Sequence, residues 1–431
     1  VFVIELRQTF RRLLSAPGFT LTAVAILGLG IGANTVVFSI IDAVYLDDPP
    51  HIVEPERLVR VYGVDDRAGA PTSMPYPDFA HYEANQSSFD GLMGFGHSIA
   101  LTVGRSDSRE PARGMFVSHD YFDVLGVRPA AGRWFVAEED SAAAPQMAAV
   151  VSHRFWTSAL GAGDDVVGQT LSLNGLTFVV VGVAPDGFAG PSPIEIPPDV
   201  WMPMHTVSAL APRDWEMLAR PASGGWNWVQ GIGRLREGVA LEAARDDLAG
   251  LSAYLKETYP RQTNQVVALS ADARFLPSAV ASLADALKLM LVAAAAVLFA
   301  GTANVAVLLS LRASDGVRTI ALSKALGATP ARIVRSGLLE SLLIVGLGTA
   351  VGMWLSYGAA GVAAGILPAS FSVSFEPDLT VLAFACLLAL TVAIVSALIP
   401  ALRSAQVDVN GALKGNVGAG QRGSGLRSSL V

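Results

Sequence analysis

Hydrophobic and polar positions segregate along this chain over distances far longer than a strand or a soluble helix. Phe19 to Ile41, Leu289 to Leu311 and Leu379 to Ile399 hold no charged residue, and Ser336 to Leu367 holds only Glu340. Each run reaches the roughly 20 residues that a helix rising about 1.5 Å per residue needs to cross about 30 Å of hydrocarbon. A long, mostly polar stretch separates the first run from the second. The pattern predicts a membrane protein with four transmembrane α-helices and a large α+β extracytoplasmic domain inserted between helices 1 and 2. The expected boundaries are a cytoplasmic amphipathic lead helix at 1–18, transmembrane helices at 19–46, 287–311, 336–367 and 379–402, the external domain at 47–286, a cytoplasmic connection at 312–335 and a cytoplasmic tail at 403–431. The first run far exceeds the apolar region of a cleavable signal peptide, about 7 to 15 residues, so it is expected to remain as an anchor.

Within the polar stretch the period shortens. Thr170 to Val183 alternates around Asn174-Gly175, which predicts a β-hairpin with a two-residue turn. Leu58–Tyr62, Ile99–Val103, Gly114–Val117 and Ala148–Ser152 read as strands, and Arg154–Leu160 as a short helix. Glu237–Tyr259 carries Leu241, Ala244, Leu248, Leu251 and Leu255 at helical spacing, with Pro260 as its stop. Pro- and Gly-rich loops at 185–198 and 221–225 are expected to flank a change of subdomain.

Charge adds orientation. Arg7, Arg11 and Arg12 precede the first span, Arg312, Arg318, Lys324, Arg332 and Arg335 lie between the second and third, and Arg403, Lys414, Arg422 and Arg427 follow the fourth. The connection near 368–378 has no Lys or Arg. Because short cytoplasmic segments retain Lys and Arg, both termini are expected inside and the large domain outside. From Asp47 to Asp285 thirty Asp and Glu face seventeen Lys and Arg, a balance that excludes nucleic acid as a partner. The single cysteine, Cys386, lies in the fourth span, so no intrachain disulfide forms and the external domain must be held by an apolar core.

Candidate chemistry is sparse. His51, His81, His97, His119, His153 and His205 show no H-E-x-x-H pair and no i, i+4 spacing, so neither a metal site nor a catalytic set is expected, and each reads as a surface or capping residue. Trp201, Trp215, Trp226 and Trp228 either pack in the core or line a partner site. In the membrane, Gly28, Gly32 and Ala33 allow close helix approach, and Asn34 and Asn304 can hydrogen-bond between helices. Glu340, near the cytoplasmic end of its span, is expected to pair with Arg335 or a helix end rather than to move protons.

Several segments taken together carry a family resemblance. The opening from Leu6 to Leu46, then Tyr121–Phe135, Val150–Trp156 and Gly168–Gly190, resemble the MacB/FtsX-type permeases of ABC transporters, and more narrowly the duplicated permeases first noted in acidobacterial genomes. The likeness implies a bacterial inner-membrane protein whose periplasmic domain moves in response to cytoplasmic ATP hydrolysis, with a stalk at Ala273–Lys288. No G-x-x-x-x-G-K-[ST] loop is present, so ATP hydrolysis is expected in a partner, an ABC ATP-binding subunit, and no cofactor is expected in this chain. By the same resemblance that subunit docks on Arg312–Arg335 beside the lead helix Ile4–Leu14, with Arg318, Leu326, Gly327, Ala328 and Arg332 as candidate coupling residues. Thr319 and Ser323 stand where relatives carry an acid and an arginine. The alternative is that the basic residues only fix topology and touch the lipid bilayer. The tail Gly415–Gly425 resembles a linker, and Leu426–Val431 resembles the start of a second half. A second permease half, fused or as a homodimer, is therefore expected, with the Gly28–Ala33 face as its seam. A second function class stays open: a membrane-anchored protein that recruits a periplasmic partner without transport.

Overall fold

The computed structural model describes residues 2–42, 45, 48–65, 69–96, 98–105, 108–163, 165–192, 196–210, 227–258, 265–315, 330–366 and 379–405. Residues 44–285 form one compact unit, and the helices before and after them form another.

In the helical unit, α1 spans Phe2–Leu14 and α2 spans Pro17–Ile41. Pro17 occupies the first turn of α2, where its missing N–H costs no helical hydrogen bond. Thr20 Oγ1 donates to the carbonyls of Leu13 and Ala16 and so fixes the bend between the two helices. Among the described residues three helical stretches are long and apolar enough to cross a membrane, Pro17–Ile41, Ala284–Leu308 and Gly337–Gly358, and Thr380–Val395 is a shorter apolar one. They share a core of Leu27, Ile31, Leu298, Val305, Ile344, Val345 and Val392, and Phe38 stacks on Phe384 with ring centroids 4.0 Å apart. Leu21, Leu289, Phe299, Trp354 and Leu387 point outward, as lipid-facing side chains do.

The other unit opens with β1 (Leu58–Asp65) and the two-residue β2 (Pro71–Thr72), then α3 (Tyr76–Asn85), β3 (Phe89–Phe95), β4 (Ile99–Arg105) and β5 (Ser108–Val117). It continues through α4 (Tyr121–Leu125), β6 (Ala131–Gly132), β7 (Ala148–Val151), α5 (His153–Ala159), β8 (Thr170–Leu173) and β9 (Leu176–Val183). After β10 (Val200–Pro203) and α6 (Val207–Leu210) come β11 (Gln230–Leu235), α7 (Leu241–Thr258) and β12 (Gln265–Ser270). All twelve strands join one sheet in the order β10-β7-β9-β8-β4-β5-β3-β11-β1-β12, with β2 on β1 and β6 on β9. A further β10–β5 pairing closes six of the strands into a ring, which leaves those strands no free edge.

The hairpin at Asn174-Gly175 forms with φ of 49° and 89°, the left-handed pair that a tight two-residue turn requires. β5 begins at Ser108 instead of Gly114, because the polar segment 108–113 pairs with β4 as an arm of the hairpin. α7 starts at Leu241, after a turn at Gly238, and buries Ala244, Leu248 and Leu255. Of the expected change of subdomain, residues 211–226 lie outside the described residues, and β9 and β11, which flank the two loops, belong to one sheet.

Aromatic packing fills one side of this sheet. Phe122 stacks on Trp134 at 4.0 Å and contacts Trp201, Phe135 and Phe188. Trp201 is fully buried and Trp228 nearly so, which makes both core residues, whereas Trp215 and Trp226 lie outside the described residues.

One acid is buried in this domain without need of a charge. Asp78, in the first turn of α3, is 7 % exposed, and burial pushes its carboxyl up to about 6. Unfolded, the same group ionises near 3.9, so between about pH 4 and 6 the folded chain holds more protons and stability falls as pH rises. Asp78→Asn removes that slope. At pH 7 it is expected to stabilise the domain by up to about 3 kcal/mol, read from denaturant unfolding at pH 4, 5.5 and 7. A variant less stable than wild type at pH 7 and equally pH-dependent contradicts this.

Candidate functional site, a glycine seam and two polar clusters

After β12 the chain runs through α8 (Pro277–Asp315), α9 (Pro330–Ile366) and α10 (Leu379–Ala405). The contact between α2 and α9 is built on glycine. A Cβ on Gly32 would lie 2.9 Å from the carbonyl oxygen of Gly352, and one on Gly352 would lie 2.7 Å from that of Gly28. Gly28 meets Gly348 in the same way at 3.2 Å. Two small-xxx-small pairs thus face each other, so the backbones touch where side chains would hold them apart. This corrects the expectation that the Gly28–Ala33 face forms the seam to a second half: Gly28 and Gly32 are used within the chain, and Ala33 is exposed.

Asn34 is buried and donates through Nδ2 to Gly30 O at 2.9 Å and to Ala294 O of α8 at 2.8 Å. Asn304 is exposed on α8 and makes no interhelical hydrogen bond among the described residues, contrary to expectation. The buried hydroxyl near it is that of Thr302, which donates to Leu298 O. Glu340 is half-buried on α9, between Leu339 and Ser341. Arg318, Leu326, Gly327 and Ala328 lie outside the described residues, and the backbone of Arg332 falls in the first turn of α9.

In the α+β unit the fold gathers polar residues that sequence spacing left apart. His205 is buried, not a surface residue: Nδ1 and the backbone N–H both lie 2.9 Å from Asp140 Oδ1, and Tyr76 Oη lies 2.7 Å from Nε2. Burial, and then the charges of Asp140 and Glu83, raise the Tyr76 hydroxyl pKa, so it stays protonated. A protonated phenol is a poor nucleophile, and the arrangement joins the start of α3 to the segment after β10. Two turns along α3, Glu83 approaches His119 and Asp120, with one ligand-type atom of each within 4.8 Å of the others. Burial, then the charges of Asp120 and Asp140, push the Glu83 carboxyl up to about 8. Burial also raises Asp120, against the pull of its Ser118 hydrogen bond. No spacing rule could find these clusters, because their members come from separate elements. Of the other histidines, His81 stacks on Tyr254, His51 and His153 both contact Asp186, and His97 lies outside the described residues.

Apolar helices with a glycine seam, and an α+β domain between the first and the next in chain order, define a membrane protein that carries one large folded domain. Residues 20–251 match the MacB-like periplasmic core domain, and residues 291–409 match the FtsX-like permease C-terminal region. The chain belongs to the MacB/FtsX-like family of ABC transporter permeases. It is 27% identical over 331 residues to macrolide export ATP-binding/permease protein MacB 1 of Aeromonas hydrophila, covering 74% of this chain and 47% of that protein. To MacB of Shewanella oneidensis it is 25% identical over 321 residues, covering 72% of this chain and 44% of that one. The chain thus spans about half the length of these relatives. The crystallised periplasmic region of MacB from Actinobacillus actinomycetemcomitans is similar at 14% identity and a TM-score of 0.37, over 55% of this chain and 94% of that one.

The seam gives a direct prediction. Gly32→Leu places side-chain atoms on the Gly352 backbone, which cannot rotate aside, and is expected to cost about 3 kcal/mol. Gly346→Leu, with nothing within 4 Å, is expected to be neutral. Thermal unfolding of the purified full chain in detergent compares them. Equal losses from both would remove the seam as the tight contact of the helical unit.

Proposed function

We propose that this chain is the permease subunit of an ABC transporter that couples ATP hydrolysis by a separate ATP-binding subunit to movement of its periplasmic domain. Export or extraction of a hydrophobic or peptide-like substrate is the work that such movement performs. The observation that carries this reading is the presence of both matched regions in one chain, a MacB-like periplasmic core domain followed by an FtsX-like permease region. Relatives named as ATP-binding/permease proteins join both activities, and the part shared with this chain is about half of them. The length of α8 supports a stalk. Its 39 residues correspond to about 58 Å, well beyond the thickness of hydrocarbon.

In this reading α10 is a fourth span, both termini are cytoplasmic, and the protein sits in the bacterial inner membrane. The connection 312–335 docks the ATP-binding subunit through Arg318, Leu326, Gly327, Ala328 and Arg332, and a second permease half, fused or separate, completes the machine. The Lys and Arg asymmetry supports the orientation.

Single cysteines test it in a Cys386→Ala background. Ser158→Cys, on an exposed site of the α+β unit, is expected to react with an impermeant maleimide in intact spheroplasts, and Ser424→Cys only after permeabilisation. The reverse order overturns the orientation.

Coupling is tested by Leu326→Glu with Gly327→Asp. A charge carried into a packed interface brings a desolvation penalty of several kcal/mol unless it is paired, so co-purification with the ATP-binding subunit is expected to fall at least tenfold while membrane insertion is unchanged. Undiminished association and ATP turnover would place docking elsewhere, whereas failure of the unaltered chain to associate with any ATP-binding subunit would favour a membrane-anchored recruiting protein.

A further inference from the structure

Glu83, His119 and Asp120 come from two parts of the α+β unit that neither helix packing nor strand pairing joins directly. Glu83 lies in the third turn of α3, and His119 and Asp120 lie in the turn between β5 and α4. β3 separates the two helices: a Cβ on its Gly94 would meet the Phe79 ring of α3, and one on its Gly91 would meet Val124 of α4. Positions three apart on a strand face opposite sides, so α3 and α4 cover opposite faces of β3. The β3–β5 ladder consists of the single pair Phe95–Val117 and then stops. Past that pair the sheet is open, and there the carboxylate from one face meets the imidazole and carboxylate from the other.

The three groups form a donor set of two carboxylates and one imidazole, half-buried, with one atom of each within 4.8 Å of the rest. Among the described residues neither carboxylate is paired with a lysine or arginine, and the side chains of Glu83 and His119 make no hydrogen bond. Asp120 by contrast is aimed. Ser118 Oγ donates to its Oδ1 at 2.6 Å, and the Gly94 N–H donates to Ser118 Oγ at 2.9 Å, which ties that carboxylate to β3. A ligand oxygen oriented by a hydroxyl that is itself held by backbone is the outer-shell arrangement that metal sites use. Asp140 adds negative charge nearby but is already engaged by His205.

We propose that Glu83, His119 and Asp120 bind a divalent transition-metal ion, of which zinc is the type, and that the ion pins α3 to the β5–α4 turn across the open part of the sheet. Ligand bonds of about 2.0–2.2 Å at tetrahedral angles put two donors on one ion about 3.4 Å apart, so side-chain shifts of up to about an ångström close the site. Imidazole together with carboxylate selects zinc over magnesium or calcium, which take oxygen ligands. Solvent completes the coordination on the half-exposed side.

The test uses the full chain, purified in detergent without a histidine tag and stripped with EDTA. Zinc chloride is titrated by calorimetry, and bound metal is counted after gel filtration. About one equivalent is expected to bind the wild type and to raise the melting temperature of the α+β unit. Binding is expected to weaken at least tenfold in Glu83→Gln, His119→Asn and Asp120→Asn, to persist in His153→Gln, and to resist competition by millimolar magnesium. Melting of each variant in metal-free buffer separates lost binding from lost folding. Cobalt loaded into the wild type gives a second reading, a visible band that His119→Asn shifts or abolishes. The proposal is overturned if the wild type binds no zinc, if the three variants bind as tightly as wild type, or if magnesium displaces zinc at equal concentration.

Discussion

Hydrocarbon offers no hydrogen bonds, so every backbone amide inside it must find its partner within the same element. That constraint organises the whole chain. It makes each long apolar run a helix and expels every strand, turn and polar cluster into the unit that water can reach. It also changes what holds helices together, since burying an apolar side chain among others gains nothing over leaving it in lipid. Close backbone approach is what remains. Gly28 and Gly32 of α2 against Gly348 and Gly352 of α9 supply it, and Asn34 adds one directed bond to the Ala294 carbonyl of α8.

In the periplasmic unit the ordinary rules of water return. Its apolar core is built from the strands of one large sheet and the helices upon it, and the aromatic group around Phe122 contributes much of the packed surface. The polar residues gathered inside it have a common location. They cluster along α3, which meets side chains from elements that no ladder joins to it. Tyr76, His205 and Asp140 satisfy one another, whereas Glu83, His119 and Asp120 bring together the donors of the proposed cation site.

Most of the membrane part was legible because its signal is long and redundant: a run of twenty apolar residues survives any single exception such as Glu340. Strands with alternation or a short apolar run, β1, β4, β7 and the β8–β9 hairpin, were legible too. β3 and β11 were not. Their sequences, Phe-Asp-Gly-Leu-Met-Gly-Phe and Gln-Gly-Ile-Gly-Arg-Leu, are interrupted by glycines that depress strand propensity. The structure explains why those glycines are there, since a Cβ on Gly94 would strike Phe79, and one on Gly233 the Phe89 ring. Both polar clusters were hidden for a different reason. Glu83 and His119 lie 36 positions apart, and Tyr76 and His205 lie 129 apart, so only tertiary structure brings them together. Asn304 erred in the other direction, because composition marks a polar residue in a span without saying which face it occupies.

The glycine seam has a consequence for how sequences of this kind can diverge. Compensation between touching residues usually works by exchange of volume, one side chain shrinking as its neighbour grows. At Gly32 and Gly352 the obstacle is the opposite backbone, which has nothing to give up. A change at either position therefore has no second-site remedy short of moving a whole helix. Such positions drift not as correlated pairs but as fixed points, and covariation would pass over the contact on which α2 and α9 most depend.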